Sequence, residues 1–72
     1  MKPVRVGLVG CGKVGTIHAA VLAALPEAAF VGVYDALPER AATFAAKYDV
    51  RSFPDLTVML REVEAVVIEE IL

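Results

Sequence analysis

An apolar strand that runs straight into a glycine-spaced turn constrains this chain more than any other feature. Val4-Arg5-Val6-Gly7-Leu8-Val9 leads at once into Gly10-Cys11-Gly12-Lys13-Val14-Gly15, the spacing G-x-G-x-x-G, and then into residues with helical periodicity. Gly10 permits the tight turn off the strand, Gly12 lets the backbone approach a pyrophosphate, and Gly15 lets the helix pack close on the sheet. The first N–H groups of that helix have no partner inside it and face an anion. A second apolar segment, Ala29 to Tyr34, ends in Asp35, twenty residues after Gly15, where the fingerprint expects a carboxylate for adenosine ribose hydroxyls. The glycines alone are a weak signal; strand, glycines, helix, strand and acid together are a strong one for a dinucleotide site.

The rest of the chain continues the alternation of strands and helices. The first helix is expected from Gly12 or Lys13 to Leu25, with Val14, Ile17, Val21, Ala24 and Leu25 as an approximate helical stripe, and Pro26 ends it. Pro38 opens a second helix whose Ala41, Phe44, Ala45 and Tyr48 recur at spacings of three and four. Arg51 to Phe53 reads as a short strand, Pro54 and Asp55 open a short helix with Leu56, Met59, Leu60 and Val63 inward, and Ala65 to Ile68 is a fourth strand. Strands separated by helices pair in parallel with right-handed crossovers, which puts the first two helices on one face and the third on the other. The fold class expected is therefore α/β, a Rossmann-like half fold with a parallel four-stranded sheet of order 3-2-1-4 and three helices. Its ligand crevice is expected at the carboxyl ends of the first and fourth strands, where the order reverses.

Seventy-two residues fall short of the two βαβαβ halves of a complete dinucleotide fold. The expectation is a single truncated dinucleotide-binding domain over residues 1–72, with the substrate and catalytic domain absent. A hydrophobic content of 58% exceeds the roughly 45–50% of soluble domains and argues against disorder. Scaffolds below about 70–80 residues draw extra stability from a disulfide, a metal or self-association. One cysteine and one histidine supply neither an intrachain disulfide nor a metal-ligand cluster, so no metal site is expected and self-association is. Seven basic and nine acidic residues without a basic stripe argue against nucleic acid as a partner. No segment reaches the length of a membrane span, and the apolar start is too short for an export signal, so a cytoplasmic location is expected.

Val6 to His18 (VGLVGCGKVGTIH), Val31-Gly32-Val33-Tyr34-Asp35, Pro38-Glu39-Arg40-Ala41 with Phe44-Ala45-Ala46-Lys47-Tyr48, and Val63 to Ile68 together resemble the N-terminal part of the Gfo/Idh/MocA oxidoreductases. In that family the N-terminal domain binds NAD or NADP, and a second α/β domain binds a sugar, a polyol or a related substrate. The resemblance implies that Gly10, Gly12 and Gly15 shape the pyrophosphate loop, that Cys11, Lys13 and Val14 line it, and that Asp35 contacts the ribose. An acid there favours NAD over NADP, whose 2′-phosphate would meet its charge. The family's catalytic lysine, in a Glu-Lys-Pro motif, lies beyond residue 72, so no residue here is a catalytic candidate. The family's small-residue and proline loop after the fourth strand is replaced by Glu69-Glu70-Ile71-Leu72, which would add negative charge beside the crevice.

Each candidate also has a plainer structural role. The glycines serve a tight turn whether or not a nucleotide binds, and Asp35 is placed to hydrogen-bond backbone at the start of the second helix. His18 is read as a packed helix residue and Cys11 as a small apolar residue in the turn, although a helix N-terminus lowers a thiol's pKa. Arg40 is either a 2′-phosphate contact or an exposed helix residue. The primary reading is an NAD-type binding module that holds a dinucleotide or its ADP portion and is not catalytic alone. The alternative is a self-associating structural or engineered Rossmann fragment without retained ligand binding; a homodimer through the fourth strand or the uncovered sheet face is the association expected. A subunit completed by another chain is a third, and S-adenosylmethionine a lesser alternative ligand.

Overall fold

A computed structural model describes residues 2–68. Its elements run β1 (Val4–Val9), α1 (Lys13–Ala24), β2 (Ala28–Tyr34), α2 (Pro38–Tyr48), β3 (Arg51–Ser52), α3 (Leu56–Glu62) and β4 (Ala65–Ile68). The sheet is parallel, in the order β3-β2-β1-β4. This is the predicted Rossmann-like half fold. The boundaries differ slightly: β2 begins one residue earlier, at Ala28, and β3 stops at Ser52, with Phe53 just beyond it donating its N–H to the Val33 carbonyl at 2.8 Å.

Local chemistry explains where the helices start and stop. Leu25 precedes Pro26 and takes the extended conformation that proline imposes on its neighbour, so α1 closes with the Leu25 N–H on the Val21 carbonyl. Pro38 occupies the first turn of α2, with Glu39 there and Lys47 in the last turn, each charge opposite to the helix end it faces. Asp49 ends α2 in the left-handed conformation at φ 55°, one of the side chains that tolerates it. Asp55 caps α3 by accepting the Thr57 N–H at 2.8 Å.

One face of the sheet carries the main core, in which Leu8 and Val33 meet Cys11, Ala19, Ala41, Phe44 and Ala45, with Phe30, Tyr48, Val50 and Val67 around them. Phe30 and Val33 share that face although three apart, because β2 carries an extra residue against β1. Val6 pairs with Phe30 but Gly7 pairs with Gly32, so Val31 is bulged out of register. On the opposite face Met59 of α3 lies against Gly7 and Phe53 against Gly32, where a Cβ would collide with both side chains. At Gly32 it would also meet the Arg51 carbonyl oxygen at 2.6 Å, a backbone atom that cannot move aside cheaply.

Two side-chain expectations fail. The α1 stripe of Val14, Ile17, Val21 and Leu25 is exposed, Ile17 by 63%, and the helix meets the sheet through Gly15, Ala19 and Leu22 instead. Leu22 apart, its large apolar residues do not mark its buried face, because close approach to the sheet admits only small side chains beside the turn. In α3, Met59 is buried and Leu56 and Val63 are half-buried as expected, but Leu60 faces outward. Glu69 and Glu70, expected to border the crevice, lie outside the described residues.

Candidate functional site

The turn after β1 is built from backbone. Gly10 takes φ 98°, a conformation that disfavours any residue with a Cβ, and its N–H is held by the Tyr34 carbonyl at 2.8 Å. Gly12 then caps α1 with no side-chain hydrogen bond. The first N–H bonded within the helix is that of Thr16, on the Gly12 carbonyl at 3.2 Å. The N–H groups of Lys13, Val14 and Gly15 precede it and have no acceptor inside the helix. Together with the helix dipole they form a positive end at the carboxyl end of β1. A pyrophosphate fits such a turn, since no capping side chain competes for these donors.

Asp35 stands directly beyond β2 and faces this turn. Its Oδ2 accepts the Cys11 N–H at 2.8 Å and its Oδ1 accepts the Leu37 N–H at 2.8 Å. The carboxylate thus joins the glycine turn to the residue that caps α2. The structure brings Gly10, Cys11, Gly12, Lys13, Val14, Gly15 and Asp35 together at one end of the sheet. The bond near the start of α2 was readable from sequence as a turn contact; the bond to Cys11 was not.

Cys11 is buried, and its Sγ points toward the Tyr34 carbonyl at 3.9 Å. Burial first, and the Asp35 charge second, push its thiol up to about 11, with Arg40 pulling the other way. Burial of the thiol and its raised pKa fit the apolar role. His18, one helical turn past Gly15, is half-buried on α1 and lines a small apolar hollow with Val21, Leu22 and Val67. Among the described residues no group of three or more histidine, cysteine or acidic side chains is placed to hold a metal ion.

A cleft of about 430 Å³ opens between the start of α1 and α2, lined by Cys11, Thr16, Leu37, Arg40, Thr43 and Lys47 among others. It adjoins the turn on the α2 side. Sequence reading gave no role to Thr16, Thr43 or Lys47. Arg40, Thr43 and Lys47 recur at three and four residues along α2, so this polar face was legible as a helical repeat. Tyr48 crosses from α2 to donate its hydroxyl to the Thr16 carbonyl at 3.4 Å, fixing the two walls of the cleft to each other.

Residues 4–69 match the model of an oxidoreductase family with an NAD-binding Rossmann fold, Gfo/Idh/MocA. The chain is 44% identical over 62 residues to the UDP-N-acetylglucosamine 3-dehydrogenase of Acidithiobacillus ferrooxidans, covering 86% of this chain and 19% of that enzyme. A crystal structure of that dehydrogenase superposes with a TM-score of 0.85 at 41% identity, over 94% of this chain and 22% of the other. The crystal structure of GenD2 from gentamicin A biosynthesis, in complex with NAD, gives a TM-score of 0.88 at 28% identity, over 97% and 21%. The chain thus spans about a fifth of the length of these relatives.

Proposed function

This chain belongs to the Gfo/Idh/MocA oxidoreductase family, and from that premise we propose that residues 1–72 act as one NAD-binding unit. Gly10, Cys11, Gly12, Lys13, Val14 and Gly15 cradle the pyrophosphate and Asp35 receives the adenosine ribose. The observation that carries this reading is the start of α1, free of any capping side chain behind a φ 98° glycine and faced by the Asp35 carboxylate. The bound dinucleotide would supply a nicotinamide able to exchange hydride. The residues here bind and orient its ADP portion, and the chain is not catalytic alone. NAD is the preferred form, because the Asp35 charge repels a 2′-phosphate; Arg40 in the adjoining cleft is the cation that would favour NADP.

Titration of the chain with NAD, NADP and ADP, followed through backbone amide resonances, tests this reading. The Gly12 to Gly15 and Asp35 amides are expected to move, with NAD binding more tightly than NADP. Shifts confined to other parts of the chain refute the assignment.

A second reading concerns self-association, and the exposed edge of β4 supports it. Among the described residues β4 is an edge strand, pairing with β1 alone, and its Ile68 is 62% exposed. Two copies meeting along this edge by two-fold symmetry would pair antiparallel, while contact through the uncovered face is the competing geometry. Ile68→Lys is expected to dissociate an edge-paired homodimer in light scattering on dilution, and a wild-type chain that is monomeric and folded at every concentration refutes association. A cytoplasmic setting is part of the same proposal; among the described residues no helix is long and apolar enough to cross a membrane.

A further inference from the structure

We propose that Asp35 is a positioning residue for the glycine turn, in addition to receiving the ribose; this rests on reading that turn as a pyrophosphate cradle. Two consecutive donors of the turn are fastened to two consecutive residues at the end of β2. The Gly10 N–H goes to the Tyr34 carbonyl and the Cys11 N–H to the Asp35 carboxylate, each at 2.8 Å. The first is a continuation of the sheet that any residue at 34 supplies. The second depends on one side chain, and it acts where the chain has just passed through φ 98° at Gly10.

Hydrogen bonds from N–H to an ionised acceptor are stronger than neutral ones, and this one lies one residue before the cap of α1. It therefore sets the direction in which the free N–H groups of Lys13, Val14 and Gly15 point. The other carboxylate oxygen holds Leu37 N–H, at the cap of α2. A carboxylate oxygen has more than one lone pair, so ribose hydroxyls can donate to Asp35 while both backbone bonds persist. The ribose end and the phosphate end of the site are thereby mechanically joined through one side chain.

The sign of a charge effect separates this role from simple ribose recognition. Inorganic pyrophosphate has no ribose, and removing the Asp35 charge from beside an anion site should leave its affinity unchanged or raise it. A turn that loses its shape loses affinity instead. In Asp35→Ala, pyrophosphate binding to the full chain is expected to weaken about fivefold to tenfold, and exchange of the Cys11 amide hydrogen to quicken about tenfold or more. Unchanged or tighter pyrophosphate binding, or an equally protected Cys11 amide, overturns the proposal. If the wild-type chain binds no pyrophosphate, the functional reading fails, and Cys11 exchange alone decides whether Asp35 positions the turn. If Asp35→Ala does not fold, Asp35→Asn serves: it keeps one acceptor oxygen, so one of the Cys11 and Leu37 amides should stay protected and the other not. Protection of both overturns the proposal.

Discussion

The two helices on the same face of the sheet pack by opposite rules. Helix α2 buries its bulk, with Phe44 between Ala41 and Ala45 in the core and Tyr48 beside them, ring centroids of Phe44 and Tyr48 5.0 Å apart. Helix α1 buries Gly15, Ala19 and Leu22 and leaves Val14, Ile17 and Val21 to solvent. The buried side chains of α1 grow in size away from the turn, which fits a helix that lies closest to the sheet at its N-terminal end. The difference follows from what each helix supports. Helix α2 places aromatic bulk in the core, whereas α1 presents Gly15 and Ala19 to the sheet at the end that carries its free N–H groups.

Substitutions should therefore fail in opposite directions on the two helices. The largest effect is expected from Phe44→Ala, which empties the α2 side of the core at a cost of about 3–5 kcal/mol. That approaches the whole stability of a small domain, so thermal unfolding should show the cooperative transition lost or moved far down; a small shift would mean that α2 does not carry the core.

Next comes Cys11, where the two helices meet. A thiol pushed up to about 11 from 9.0 holds roughly a hundredth of the ordinary thiolate at pH 8. Alkylation by iodoacetamide at that pH should be slowed about as much relative to the unfolded chain. The raised value also gives a pH dependence. Below pH 9 the thiol is neutral in both states and costs nothing; between 9 and 11 only the unfolded chain ionises, so stability falls as pH rises through that window.

Ala19→Leu is expected to cost about 1–3 kcal/mol, because Ala19 is fully buried where α1 meets the sheet and added volume has nowhere to go. A neutral or stabilising result would show that α1 has room and that its small residues are incidental. The smallest effect belongs to Ile17→Ser, within about 0.5 kcal/mol in urea denaturation, since Ile17 has little buried surface to lose. A loss above about 1 kcal/mol that vanishes on dilution would mean the outer face of α1 is covered by another copy.

Strand and helix order were readable from hydrophobic runs punctuated by Pro26, Pro38 and Pro54, and the strand order followed from crossover handedness. These signals are local or topological, and both survive folding unchanged. The buried face of α1 was not readable, because periodicity counts large apolar residues while a closely packed helix selects small ones. The bulge at Val31 was hidden for a related reason: Phe30, Val31 and Val33 are all apolar, so an extra residue leaves no mark in the pattern. At the site, the glycines and Asp35 announced themselves by spacing. The Cys11 to Asp35 bond spans 24 residues and depends on how the ends of β1 and β2 are aligned, which no local pattern records.

The attachment of β4 has a consequence in time. Its approach is pinned by a reciprocal pair of bonds 59 residues apart, Arg5 N–H to Glu64 Oε1 at 3.0 Å and Glu64 N–H to the Arg5 carbonyl at 2.8 Å. Closing so long a loop carries the greater entropy cost, whereas β1, α1 and β2 join over a much shorter stretch. As the chain leaves the ribosome, Asp35 emerges before β4 does. Every residue assigned to the nucleotide site is therefore available before the sheet is complete, and a nascent chain with its first 35 residues free already holds the parts of the turn and the acid that faces it.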